Sequence, residues 1–428
     1  MNQRAWQNLL HFLPHQGQLK NIGLLAGSTA IGQLILIIAS PIISRLYSQV
    51  DLGIFGLISA FSSVASVSVT LKYELAIVSA ETEREALDLM AFSLLITFFL
   101  AIVSCGGLAF LIYFNFYNFG AVSYFSIPIA FLQVCVIAAS GIFRYWFTRN
   151  ENFELIGKIS LWQGFGRGIS QIALFPFASS GLLLGETLGR SLGLSLSWSQ
   201  SKVNSHIRKI LIQEISVKST LQRYRSFPTY VLPSSIIDIL SVMLPLPIIA
   251  GLYGLESAGL YALAQRVIAI PLSLIGSSVA DVFHSQIANL QRSERQKTLS
   301  AFWLMTRSLI LVGMLPAIIL GVWGKPIFEI VFGNKWGQSG TMAALMAPWM
   351  LAQFVVSPIS RLILVSEKQG FKLFYDVIAF SIVIIVPHVI HRSNGTVFDA
   401  LFWLSISKTI AYGLYFWIVW LQARYMSR

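Results

Sequence analysis

The sequence predicts an all-α polytopic membrane protein, with about twelve transmembrane helices in two six-helix lobes around a central cavity. Three observations carry this. Apolar stretches of about 18 to 26 residues, separated by short polar loops, fill nearly all of the 428 residues. Each matches the ~20 residues that a helix needs to cross a hydrocarbon core of about 30 Å. The composition agrees, with 55% hydrophobic and 11% charged residues and a mean hydropathy of +0.71. A motif also recurs at half the chain length.

In order, the predicted spans are 22–43, 53–71, 88–113, 123–146, 157–177 and 181–200, then 229–251, 259–281, 305–324, 340–362, 372–390 and 399–421. Residues 1–20 are polar and amphipathic. The first apolar stretch is too long for the core of a signal peptide, so it is expected to remain as a span. Between the sixth and seventh spans lies the longest polar interval, too short to bury a core of its own. The chain therefore divides into an N-terminal lobe (1–200), a basic linker (201–226) and a C-terminal lobe (227–428). In the linker Val203, Ile207, Ile210, Leu211, Ile215 and Val217 follow helical spacing among Lys202, Arg208, Lys209 and Lys218. This predicts an amphipathic helix on an anionic leaflet, the alternative being a solvated linker.

The repeat supports the division. Leu46-Tyr47, then Gly53, Phe55 and Leu57, recur 206 residues later as Leu252-Tyr253, Gly259, Tyr261 and Leu263. Both copies bridge the first and second spans of their own half, as expected for two lobes in one orientation related by an axis along the membrane normal. Phe332-Gly333-Asn334-Lys335-Trp336, followed by Gly340, is a weaker echo. Pro228, Pro233, Pro245, Pro247 and Pro271 cluster where the second lobe begins and predict bent helices, as fixed kinks or as hinges.

A net charge of +12 could point to nucleic acid, but the distribution of the 30 Lys and Arg argues otherwise. With loops assigned to alternate sides, only Arg45, Lys325, Lys335 and Arg392 lie on one side and twenty-two lie on the other. By the positive-inside rule both termini are cytoplasmic. The remaining four, Arg167, Arg190, Arg266 and Lys408, fall inside apolar stretches with Glu186 and Asp238.

Ions in the hydrocarbon region cost at least about 2.5 kcal/mol each at mid-helix, so these six need a reason. Glu186 and Arg190, four apart, can neutralise one another or leave Arg190 for a substrate. Arg266 has no acid near it on its own helix; it suits an anionic ligand or an ion pair with Asp238. Asp238 could instead couple transport to a proton or sodium ion. Arg167, in Gly164-Phe165-Gly166-Arg167-Gly168, sits where small residues let helices approach. Four cations against two acids suit phosphate or diphosphate, whereas a site for organic cations would show the reverse.

Other chemistry finds little support. Cys105 and Cys135 lie within spans, so a structural disulfide is not expected, and no metal or cofactor site is expected. His388 and His391 have no further ligand nearby and read as an interfacial pair. No phosphate-binding lysine loop, nucleophile elbow or HExxH helix is present, which argues against an enzyme. Glu81-Thr82-Glu83-Arg84-Glu85 reads as a helix start, with Thr82 as cap and Glu85 closing a capping box.

Three segments carry a family resemblance: Ser44-Arg45-Leu46-Tyr47 through Gly53-Ile54-Phe55, Lys72-Tyr73-Glu74-Leu75-Ala76-Ile77-Val78, and Ala258-Gly259-Leu260-Tyr261-Ala262-Leu263-Ala264-Gln265-Arg266-Val267 with Pro271-Leu272 and Gly276. On these the chain resembles the polysaccharide transporter family, which includes O-antigen unit flippases, within the multidrug/oligosaccharidyl-lipid/polysaccharide superfamily. The resemblance implies two lobes around a cavity open alternately to each side. It also implies transfer of a polyprenyl-diphosphate-linked oligosaccharide across the bacterial inner membrane for surface polysaccharide synthesis. Arg266 and Arg167 would then hold the diphosphate, Arg190 and Lys408 would complete a cationic lumen, and Asp238 and Glu186 would serve coupling or as counter-ions. Membrane lipids and a polymerase or chain-length complex are the implied partners. The alternatives are a cation-coupled drug antiporter of the same superfamily, and a glycan polymerase or ligase, which the short external loops disfavour.

Overall fold

The computed structural model describes residues 16–201, 218–271, 294–365 and 370–427, with isolated positions between 279 and 291. The amphipathic N-terminus and most of the basic linker lie outside the described residues. The described residues are helical, without strands.

The first half contains α1 (Gln16–Leu46), α2 (Gln49–Val69), the short α3 (Tyr73–Ser79), α4 (Glu83–Tyr113), α5 (Ser126–Arg149), α6 (Phe153–Ala173) and α7 (Ala178–Gln200). After α8 (Lys218–Arg223) come α9 (Leu232–Met243), α10 (Pro245–Pro271), α11 (Thr298–Phe332), α12 (Gly337–Ile359), α13 (Leu362–Val365), α14 (Gly370–Arg392) and α15 (Val397–Met426). Among the described residues eight helices are singly long and apolar enough to cross a membrane, and α6 with α7 qualifies as a pair. All twelve predicted spans have a helical counterpart. The seventh occupies α9 and the start of α10, and the eighth, as far as Pro271, the rest of α10, where Gly254, at φ +89°, makes the break between them. Only glycine adopts that conformation readily.

Both halves present an outward apolar surface: Phe98, Phe99, Ile102 and Val103 on α4, and Leu311, Leu315 and Val322 on α11, are exposed. In water such a surface would be costly; against lipid it is the expected one.

The cores are distributed unevenly. One large core crosses between bundles, uniting Ile43, Leu57 and Leu182 with Leu246, Ile249, Tyr261, Phe328 and Trp336. It lies at the end of the molecule that carries the turns near residues 47, 254 and 333. At the opposite end each bundle has its own core. The first is built around Tyr73, Ile77, Phe143 and Trp146, the second around Phe283, Phe302, Phe354 and Val419. The lobes therefore share one core at one end, while at the other they have two cores, the first of which also takes in Leu221, Tyr224 and Phe227.

Polar contacts reinforce the fused end. Trp336 Nε1 donates to the carbonyl of Ser44 at 2.8 Å, Lys335 Nζ to that of Tyr47 at 2.8 Å, and Gln49 Nε2 to that of Lys335 at 2.6 Å. Ser44 Oγ donates to the carbonyl of Phe332 at 3.1 Å, and Asn118 Nδ2 to that of Ala250 at 2.5 Å. His388 Nε2 lies 2.9 Å from the Tyr117 hydroxyl, and the His391 ring packs edge-on against Tyr253. Both histidines thus join in holding this end together.

At the other end, the Lys72 to Val78 motif forms a left-handed turn at Leu71 and Lys72 followed by α3. Arg149 caps α3 by donating from Nη1 to the carbonyls of Ile77 and Ala80 at 3.0 and 2.7 Å. Thr82 accepts from the backbone N–H of Glu85, as the helix-start reading expects. The Glu85 carboxylate departs from a simple capping box. It accepts from the N–H of Glu81 and also from Arg223 and Tyr224, so it ties α8 to α4. The Arg223 guanidinium, also paired with Glu81, has its pKa raised by those two carboxylates.

Candidate anion site between the lobes

α6 and α7 form an antiparallel hairpin whose register is set by glycine. A side chain on Gly166 would strike the backbone of Gly189, and one on Gly189 the backbone of Arg167. This near-contact of main chains brings Arg167 on α6 beside Glu186 and Arg190 on α7. Glu186, almost fully buried, accepts from Arg167 Nε at its Oε2 and from Arg190 Nε at its Oε1, both at 2.7 Å. Gln171 Nε2, one turn beyond Arg167, adds a bond to Oε2 at 3.2 Å.

The bonding has a chemical consequence. Each guanidinium spends only its Nε–H on the carboxylate, and among the described residues the four terminal nitrogens of Arg167 and Arg190 form no hydrogen bond. An arginine offers five N–H donors in a planar fork, so the outer edges of both remain available to a bidentate oxyanion. Arg266, on α10 of the other lobe, interacts through space with both Arg167 and Glu186. It has no hydrogen bond or ion pair among the described residues. Two arginines are thus bonded to Glu186, and Arg266 adds a third positive charge within electrostatic range of the pair.

Lys408 and Asp238 lie elsewhere. Lys408 is buried in the second lobe, with Nζ 3.3 Å from the carbonyl of Ser241 and 5.4 Å from the Trp349 ring centre. Asp238 pairs with Lys372 at 3.8 Å rather than with Arg266, and Lys372 also bonds Asp376 at 2.7 Å. Lys372 and Asp376 stand outside the sequence-predicted set because Lys372, the first residue of the predicted 372–390 span, counts with the charges of the flanking loop. Their four-residue spacing within α14 is the signal that could have found them. Beside Lys408 lies a cavity of about 440 Å³, walled by α9, α10, α12 and α15.

A helical, two-bundle molecule with an apolar belt and a cationic cluster between its bundles has the architecture of a multi-pass membrane transporter. Residues 42–340 match the family described as "Polysaccharide biosynthesis protein", and the chain belongs to that family. A curated relative, the succinoglycan biosynthesis transport protein ExoT of Rhizobium meliloti (strain 1021), is 24% identical over 190 residues. That alignment covers 44% of this chain and only 37% of the relative.

Solved structures show the fold. The lipid II flippase MurJ in an inward closed conformation matches with a TM-score of 0.69 at 14% identity, over 92% of this chain and 87% of that one. A transporter of the MOP superfamily from Pyrococcus furiosus, described by a binding pocket of reverse polarity, matches at 0.64 and 12% identity, over 96% of both chains. A mutant of the Vibrio cholerae MATE transporter VcmN matches at 0.63 and 13% identity, over 95% of this chain and 96% of that one.

Proposed function

We propose that this protein is a flippase, moving a polyprenyl-diphosphate-linked oligosaccharide across the bacterial inner membrane by alternating access, for synthesis of a surface polysaccharide. The observation that carries this is the pairing of Arg167 and Arg190 with a single carboxylate, Glu186, with Arg266 of the other lobe within electrostatic range of it. The cluster retains excess positive charge and free guanidinium edges at the interface of the lobes. A diphosphate has the charge and the paired oxyanions to meet it. Family membership supports a role in polysaccharide synthesis, and the relative's name supports transport.

In this reading the lysine- and arginine-rich end, with both termini, is cytoplasmic. The fused end then faces outward, and the independent cores mark the end through which substrate enters. Catalysis is no part of the mechanism. Binding at the arginines favours rotation of one bundle against the other, because the two cationic surfaces belong to different lobes and an anion between them removes their repulsion. The lipid tail stays in the bilayer while the head group passes. A cation antiporter would need a carboxylate free to take up its substrate. Glu186, Asp238 and Asp376 each already face an arginine or a lysine.

The test is translocation in proteoliposomes of a polyprenyl-diphosphate oligosaccharide and of an organic cation, by wild type and Arg266→Ala. Glycolipid transport that the substitution abolishes, with insertion and folding intact, is the expected result. Transport of the cation alone would overturn the reading.

A further inference from the structure

The ~440 Å³ cavity of the second lobe lies within the usual ~300–1,000 Å³ range of ligand pockets, and the cationic cluster does not account for its lining. Its wall combines two kinds of chemistry. Trp349 and Tyr412 contribute aromatic surface. Gln265 on α10 and Gln353 on α12 contribute carboxamides, and neither forms a side-chain hydrogen bond among the described residues. Each amide offers both donors and an acceptor to whatever fills the cavity.

We infer that this cavity is a glycan subsite, which receives the sugars of the lipid-linked substrate while the arginines hold its diphosphate. The inference rests on the flippase reading and adds to it a place for the head group. Sugar rings carry hydroxyls that donate and accept at once, as carboxamides do, and they present a C–H face that packs on aromatic rings. An apolar ligand would cover both amides and leave them unpaired, which is costly. The wall also carries Lys408, whose Nζ bonds the Ser241 carbonyl and packs over Trp349, and Arg361, which together give it a positive flank. A many-hydroxyl ligand satisfies the two amides and the aromatic rings of this wall.

Position strengthens the assignment. Gln265 and Arg266 are neighbours on α10. Successive residues of a helix point about a quarter-turn apart. One helix thus turns Arg266 toward Glu186 in the first lobe and Gln265 into the cavity of the second. A diphosphate held at Arg266 therefore lies one residue along α10 from the cavity lining. The tilt of α10 during the transport cycle would move both parts of the ligand together.

The experiment measures binding of two lipids to the full chain in nanodiscs: a polyprenyl diphosphate without sugar, and the same lipid bearing a neutral disaccharide. Wild type is expected to bind the glycosylated form about tenfold more tightly, as one or two net hydrogen bonds would give. Gln265→Ala with Gln353→Ala should erase that preference and leave affinity for the bare lipid unchanged. Arg266→Ala should weaken both. Equal binding of the two lipids by wild type, or an equal loss for both in the glutamine variant, would overturn the subsite and leave the flippase reading standing. Binding of neither lipid by wild type would overturn the flippase reading, and the subsite with it. Retained melting temperature in each variant excludes misfolding.

Discussion

Gly53 and Gly259 make the same contact from opposite lobes. A side chain on Gly53 would run into the backbone of Leu255, and one on Gly259 into the backbone of Gln49. The contact partners are themselves 206 residues apart, as the two glycines are, so the contact is its own image under a two-fold relation. The repeat is therefore more than a trace of duplication: its two copies are the surfaces on which the lobes meet at the fused end. Gly259→Ala should keep this end from closing fully, since the obstruction is backbone and no rotamer relieves it; overpacking of this kind costs about 1–3 kcal/mol. Spin labels at the exposed and equivalent positions Val50 and Glu256 should report a longer, broader distance. An unchanged distance would mean the contact is not needed for closure.

Glu186 lends itself to a charge test. Removing a carboxylate that two partly buried arginines share leaves their charge uncompensated, at a cost of up to about 3–5 kcal/mol for a fully buried pair and less here, where both arginines keep some solvent. Glu186→Gln should lower the melting temperature clearly. Glu186→Gln with Arg167→Gln should lower it by less than the sum of the two single changes, because the double variant removes both ends of one pair. Strictly additive effects would show that the pair carries no coupling.

Much of this architecture is legible in the sequence because it depends on local quantities. Span length follows from bilayer thickness, and the Glu186–Arg190 pair follows from helical spacing on α7. The bond of Arg167 to Glu186 is not legible, because it depends on the register of α6 against α7. Gly166 and Gly189 set that register, and the pattern of small residues shows only that some close approach occurs. The pairing of Asp238 likewise depends on how α9 meets α14. Sequence reasoning offers Arg266 as its partner, since neither has an opposite charge nearby on its own helix, whereas Lys372 reaches it from the very start of the predicted 372–390 span. Lys408 joins the arginines only in a count of charges, and three-dimensional placement gives it Trp349 and Ser241 as neighbours.

Trp336 offers a graded change at the fused end. Its indole is fully buried, and its N–H is bonded to the carbonyl of Ser44. Trp336→Phe keeps an aromatic ring but deletes the donor and leaves that carbonyl without it, at a cost of about 1–3 kcal/mol. Because the bond joins the two lobes, the loss should fall on the closed state, and the population with this end open should rise. A cysteine introduced at Val331, exposed beside this contact, should then react faster with a water-soluble maleimide than it does in the otherwise native protein. Equal rates would place the bond outside the equilibrium between states.

The strongest test fixes the fused end shut. Gln49 and Lys335 come from different lobes and are joined by the 2.6 Å bond from Gln49 Nε2 to the Lys335 carbonyl. Gln49→Cys with Lys335→Cys, linked by a short thiol cross-linker that a reductant cleaves, leaves the anion site and the glycan cavity untouched and forbids separation at this end. If transport requires the lobes to part here, substrate binding should survive linkage, translocation should stop, and reductant should restore it. Translocation that continues in the linked protein would show that the substrate leaves without opening this interface, and a rocking motion of the two bundles would have to be abandoned. The reversible cross-link separates this outcome from damage to the fold, because a misfolded protein would not recover when the link is cut.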